Sequence, residues 1–159
     1  MKGNSPLFIR LEEYHNAIAP SAGDGSLMGK NNSFYNNIRR RKDVDPDGKF
    51  DIIAHGTSKF IELDHNGKIY KVNWRFVSRI IKKMPGYTNR KPVRLLSCNT
   101  GKGSKTFAQN LANKLNVIVY APNKYLWAWP NGDYKVFGGS STTPDYNDVG
   151  KFIPGGNRK

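Results

Sequence analysis

Apolar side chains follow two rhythms along this chain, and the two rhythms alternate. Short continuous runs, Asp51-Ile52-Ile53-Ala54-His55-Gly56, Val93-Arg94-Leu95-Leu96-Ser97-Cys98 and Val117 to Tyr120, read as buried strands. Between them lie stretches with a helical period. Trp74, Val77, Ile80, Ile81 and Met84 share one face after Asn73, whose side chain can cap a helix that Pro85-Gly86 then ends. Phe107, Ala108, Leu111, Ala112 and Leu115 form a second stripe, in a helix opened by Ser104. Strand, crossover helix, strand, helix, strand is the order of a sheet covered by helices on both faces. The pattern therefore predicts an α/β fold with a mainly parallel sheet flanked by helices.

Two hairpin insertions interrupt that order. Phe60 to Leu63 and Lys68 to Val72 flank Asp64-His65-Asn66-Gly67, and an Asn-Gly pair favours a tight turn because both residues tolerate positive φ. Tyr125 to Trp129 and Tyr134 to Phe137 flank Pro130-Asn131-Gly132-Asp133 in the same way. Toward the N-terminus, Leu7 to Tyr14 reads as a first strand, the Gly/Asn/Ser-rich stretch from Ala19 to Ser33 as a loop, and Phe34 to Arg41 as a short helix. From Gly138 onward Gly, Ser, Thr, Pro and Asn dominate, so irregular structure anchored by Phe152 is expected. The chain divides into a strand and loop region (1–50), a core (51–137) and an irregular tail (138–159) of one domain.

Composition narrows the class. With 159 residues, 37% of them apolar, the chain can bury a core of its own, and no run reaches the length of a membrane span. One cysteine excludes an internal disulfide and leaves a thiol for chemistry. The first residues, Met1 to Pro6, lack the apolar segment of a signal peptide, so export is expected to run through a larger parent polypeptide. Charge is uneven: 26 Lys and Arg against 12 Asp and Glu give 26 − 12 = +14, and no acidic residue falls between Asp64 and Asp133. A field of that sign attracts nucleic acid, an acidic protein or an anionic substrate, and favours the thiolate of a cysteine inside it.

Two of the buried runs stop on reactive residues, His55 and Cys98. Open α/β sheets bind ligands at the carboxyl ends of their strands, so neighbouring placement of these two strands would create a Cys-His dyad. Other motifs fall short. Asp43-Val44-Asp45-Pro46-Asp47-Gly48 copies the opening of a calcium loop, but its twelfth position is Ala54 where a Glu is needed, so the stretch reads as a turn and no metal is expected. Gly101-Lys102-Gly103-Ser104-Lys105-Thr106 resembles a phosphate loop but lacks glycine at Asn99 and Ser104, although its backbone N–H groups could meet an anion. His15 and His65 fall in loop or turn positions and receive no role. No cofactor is expected.

His-Gly after one apolar strand and Ser-Cys after the next, in that order and 98 − 55 = 43 residues apart, resembles the caspase-like cysteine peptidases, a group that includes gingipains, toxin autoprocessing domains and CHAT domains. Papain-like enzymes have the opposite order. The likeness covers roughly residues 50 to 120. Val93 to Trp129, with Phe107-Ala108-Gln109-Asn110-Leu111-Ala112 and Tyr120-Ala121-Pro122-Asn123, also resembles C-terminal modules of bacterial polymorphic toxins of the Rhs and contact-dependent inhibition types, as does Lys151-Phe152-Ile153-Pro154-Gly155-Gly156. The resemblance implies a caspase-like fold with Cys98 as nucleophile, His55 as proton carrier, and the N–H groups of Gly56 and Cys98 as the oxyanion site. Glycine suits position 56 in this reading because backbone must approach substrate there. Ser97 replaces the alanine of several relatives. Ser97, Asn99, Tyr120 and Trp127 are the expected substrate contacts, with Trp129 near them.

Two functions follow as expectations. The first is a cysteine-dependent hydrolase, a peptidase or related acyl-transfer enzyme, secreted or delivered into a target cell as part of a larger bacterial toxin and acting in the cytoplasm on a protein substrate. An acidic immunity protein would be its partner, steered by opposite charge. The second is a basic toxin domain that cleaves or binds RNA or DNA through its basic helix faces. A non-catalytic interaction domain is a third.

Overall fold

Backbone pairing joins the apolar runs into one twisted sheet. The computed structural model describes residues 24–26, 33–44, 48–65, 68–84, 86–88, 90–137 and 149–155. In chain order these form β1 (Asp24–Ser26), α1 (Ser33–Ile38), β2 (Phe50–Ile53), β3 (Ile61–His65), β4 (Lys68–Val72), α2 (Trp74–Ile81), β5 (Val93–Leu96), α3 (Phe107–Leu115), β6 (Val119–Pro122), β7 (Tyr125–Ala128), β8 (Tyr134–Phe137) and β9 (Val149–Phe152). The main sheet has five strands in the order β1-β2-β5-β6-β9. The first four run parallel and β9 closes one edge antiparallel to β6. The α/β class and the mainly parallel sheet expected from the sequence are present. Both hairpin insertions form, as β3–β4 and β7–β8.

Side-chain alternation sorts the sheet into two unlike faces. Phe50, Ile52, Ala54, Val93, Leu95, Val119 and Ala121 point into a large apolar core with α2, α3 and the β3–β4 hairpin. Ile53 and Leu96 point the other way, into a smaller cluster with Tyr35 and Ile38 of α1 and Leu126 and Val136 of the β7–β8 hairpin. The helices are held by their stripes and caps. Asn73 Oδ1 accepts the Phe76 N–H at 3.0 Å, and Phe76, Val77, Ile80 and Ile81 are buried. Trp74, expected as the first member of that stripe, is half-buried, and Phe76, which was not assigned to it, is buried at its other edge. The α3 stripe is buried as its period predicted, and the helix ends at Asn116 in the left-handed conformation.

Four details differ from expectation. The cap of α3 is Thr106, whose hydroxyl accepts the Gln109 N–H at 3.0 Å. Ser104 lies before a residue of positive φ, Lys105 at 49°, which keeps it out of the helix. The stretch from Ala19 to Ser33 contains β1, a three-residue edge strand held by backbone pairing, which leaves no side-chain pattern to read. The third buried run starts later than expected, at Val119, and extends to Pro122. The tail is not wholly irregular, since β9 lies in it. Phe152 is the anchor expected there, packed against the main core. The strand expected at Leu7 to Tyr14 lies outside the described residues, as does the chain between 138 and 148. No helix among the described residues is long and apolar enough to cross a membrane.

Candidate active site

The parallel register of β2 and β5 decides whether the two reactive residues meet. Phe50 pairs with Val93, Asp51 with Arg94, Ile52 with Leu95 and Ile53 with Leu96, each pair 43 apart (96 − 53 = 43). That offset equals the separation of His55 and Cys98 (98 − 55 = 43). The Ala54 N–H extends the ladder to Leu96 O at 3.3 Å, so the next places bring His55 level with Cys98 at the carboxyl edge. A Cβ built on Gly56 would lie 3.3 Å from Cys98 O, which shows that the two chains stay together past the ladder. Parity puts both residues on the α1 and β7–β8 face, where Cys98 packs beside Leu96 and Leu126.

Cys98 is half-buried and its sulfur is held between two backbone groups of β7. The Leu126 N–H donates to Sγ at 3.3 Å, and the thiol lies 3.8 Å from Leu126 O. Burial pushes the thiol's pKa up, outweighing the Leu126 and Cys98 N–H groups that favour the thiolate. The cations of the interval therefore do not win at the thiol: most of them lie on exposed surface, Arg94 is paired with Asp51 and Asp43, and the sulfur packs beside apolar side chains. His55 is exposed, with its ring 5.7 Å from that of Phe34 on α1 and tilted by 36°. Leu126 and Phe34 were not legible as site residues, because both contacts depend on elements packing across the sheet face.

The other expected site residues divide. The Gly56 N–H is not used by the bridge to Ile61, whose bonds run from Glu62 N to His55 O and from Thr57 N to Phe60 O. Glycine is required at 56 by close packing as well: a Cβ there would meet Thr100 Cγ2 at 2.8 Å. Asn99, at φ 59°, turns the chain sharply after Cys98, and its N–H donates to Lys124 O at 3.0 Å. Ser97 has the opposite parity to Cys98 and is buried with its hydroxyl against Thr100 Oγ1 at 3.3 Å, so it does not join the cleft. Tyr120 is level with Arg94, four residues before Cys98, or about 13 Å along the strand. It lines a cavity of about 270 Å³ with Lys49, Leu96, Leu126 and Tyr134. Trp127 and Trp129 are exposed; on β7, Trp127 points away from the side on which Leu126 meets Cys98.

Beneath His55 and Cys98, the same face holds a cluster of charges. Asp51 on β2 receives Arg41 Nη2 at 2.7 Å and Arg94 Nε at 2.7 Å, with the Arg41 and Asp51 side chains fully buried. Arg94 Nη1 reaches Asp43 at 2.9 Å and Tyr134 Oη at 3.0 Å, and the Tyr134 hydroxyl donates to Asp43. Burial would raise the Asp43 carboxyl, but Tyr134 and Arg94 outweigh it and hold its pKa below the usual value. Burial and the neighbouring Asp43 carboxylate together push the Tyr134 hydroxyl well up. This cluster takes the carboxylate of Asp43, the first position of the calcium-like loop. Its sequence signal was present: Asp51 and Arg94 are opposite charges inside apolar runs, again 94 − 51 = 43 apart.

No curated protein and no solved structure matches the chain. One family model does, from residue 23, beside β1, to residue 136 in β8, a span that holds His55, Cys98 and the charged cluster. The chain belongs to that family, described as Domain of unknown function (DUF8616).

Proposed function

We propose that this chain is a cysteine-dependent hydrolase of caspase-like fold, a peptidase or related acyl-transfer enzyme, acting as a toxin domain of a larger bacterial protein. The observation that carries the reading is the shared offset of 43, which aligns His55 with Cys98 on one face of adjacent parallel strands. A cysteine and a histidine so placed can divide acyl transfer into two steps. Cys98 Sγ attacks the carbonyl carbon while His55 accepts the thiol proton. The developing oxyanion lies against the Gly56 and Cys98 N–H groups. His55 then returns the proton to the leaving group, and water hydrolyses the thioester to free the sulfur. The Leu126 N–H at 3.3 Å steadies the sulfur as it gains negative charge. The cavity beside Leu126 and Tyr120 offers an apolar subsite on the same face.

The toxin setting rests on the resemblance of Val93 to Trp129 and on a net charge of +14, which suits an acidic immunity protein. In this setting the protein is delivered into a target cell and attacks a cytoplasmic protein. The test is growth of a bacterial host expressing the chain beside Cys98→Ala and His55→Ala variants, with all three quantified by blot. Growth inhibition that disappears in both variants is expected. Inhibition that survives both substitutions would overturn the reading and leave nucleic acid as the target. Iodoacetamide supplies a second readout: because burial raises the thiol's pKa, Cys98 alkylation should be slow at pH 7 and accelerate past the usual thiol range near about pH 8.5.

A further inference from the structure

The outer face of the β7–β8 hairpin carries a row of exposed rings. Tyr125, Trp127 and Trp129 are 48%, 44% and 39% exposed, three of the six exposed large apolar side chains among the described residues. They alternate with residues tied to the body of the fold by backbone bonds. Leu126 is bonded through its N–H to Cys98 Sγ, Ala128 O accepts Asn37 Nδ2 at 3.1 Å, and Pro130 O accepts Arg40 Nη1 at 3.2 Å. The turn is seated as tightly, since a Cβ on Gly132 (φ 95°) would lie 2.2 Å from Arg40 O. The rings therefore stand on a rigid strand. Lys135 lies directly across from Trp127, Lys124 precedes Tyr125, and Arg40 borders the turn. Among the described residues, Asp133 and Asp43 are the acidic groups near this end; the Asp133 carboxylate accepts a bond from Asn131, and that of Asp43 is taken up by Arg94 and Tyr134.

We propose that this face is a platform for single-stranded nucleic acid. Alternate residues of a strand stand about 6.6 Å apart, roughly twice the 3.4 Å per base of a stacked duplex. Successive bases can reach successive rings only after leaving their own stack, so the row selects an unstacked strand over a duplex. Rings take the bases without regard to sequence, and flanking lysines and arginine take the phosphates. The net charge of +14 adds the long-range attraction such a polyanion requires. A protein partner would also welcome aromatic rings, but the cations at the rim favour the polyanion.

The platform lies on the opposite side of β7 from the cysteine and does not depend on the hydrolase reading. The test is fluorescence titration of the full chain with a twelve-residue oligothymidylate, an abasic phosphodiester of the same length and a duplex of the same length, at low salt. Expected are quenching of tryptophan emission and binding of the oligothymidylate at least about 10-fold tighter than either control. Trp127→Ala should remove most of that margin and Trp127→Phe should keep it. Lys135→Gln should lower the slope of log Kd against log salt by about 0.7. Equal binding of the abasic polymer or the duplex would overturn the proposal, as would a margin that survives Trp127→Ala. Absence of oligothymidylate binding, with Trp127→Ala shifting self-association instead, would assign the row to a second copy and overturn it as well.

Discussion

The two faces of the main sheet are built from the same strands and could hardly differ more. One receives Phe50, Ile52, Ala54, Val93 and Leu95 and is covered by α2, α3 and the β3–β4 hairpin in a continuous apolar core. The other receives, from the amino to the carboxyl ends of the same strands, a buried ion cluster at Asp51 and Arg94, an apolar middle at Ile53 and Leu96, and His55 with Cys98 at the rim. The first face holds the fold by area removed from water, which is indifferent to direction. The second holds its cover by directed bonds, so the placement of α1 and the β7–β8 hairpin is set by geometry. That is what a site needs, since a sulfur held by one backbone N–H of β7 is only as well positioned as β7 itself.

The largest expected contrast separates chemistry from stability. On the proposed mechanism, Cys98→Ala or His55→Ala should reduce hydrolysis by about 10³-fold or more, equivalent to about 4 kcal/mol of transition-state stabilisation, with the melting temperature nearly unchanged. A parallel collapse in melting temperature would show that the rim is structural and break the contrast. Next come the two interiors. Phe107→Ala should cost about 3–5 kcal/mol in urea unfolding, because the ring is fully buried and leaves a cavity. Asp51→Ala should cost a similar amount, about 3–5 kcal/mol, by leaving Arg41 buried without its carboxylate. The mechanisms are told apart by adding Arg41→Met and Arg94→Met to the Asp51 variant. Stability should then recover on the charged face, which no second change achieves for Phe107.

Smaller effects sharpen the picture. Thr106→Ala removes the α3 cap and should cost about 1 kcal/mol, seen as a shift in urea midpoint without a change in slope. Asp43→Asn should act through both the neutral plateau and the acid limb. The Asp43 pKa is lower in the folded chain, so its contribution is present above its unfolded value near about pH 4 and fades as pH falls below that. The variant should therefore lose stability at neutral pH and show a flatter decline below about pH 4. Identical acid limbs would mean that the carboxylate, half exposed at its outer side, is not engaged in solution.

Much of the frame could be read from residue order. The apolar runs at Asp51 and Val93, the stripes from Trp74 and Phe107, and the turn chemistry at Asn131-Gly132 name their elements, because periodicity follows directly from helix and strand geometry. Expectations failed where pairing partners supply the order. β1 and β9 are short edge strands whose residues carry no apolar alternation, and their structure comes from the strand beside them. Ser97 and Trp127 were expected at the substrate, yet parity sends the first into Thr100 and the second to the outer surface.

The sequence by itself determined the alternation of strands and helices, the two hairpins, the basic interval and the placing of a histidine and the single cysteine after two apolar runs. It also carried a register that could be recognised only afterwards, in the repeated separation of 43 between Asp51 and Arg94 and between His55 and Cys98. Tertiary structure decided that β2 and β5 are neighbours and that Leu126 holds the sulfur. It also set a buried Arg41 against Asp51 and left the rings of Tyr125, Trp127 and Trp129 facing outward on the β7–β8 hairpin. The physical reason is range. Periodicity and turn chemistry act over a few residues, whereas strand order, burial of a charge and the surroundings of a thiol depend on segments brought together only when the chain closes on itself.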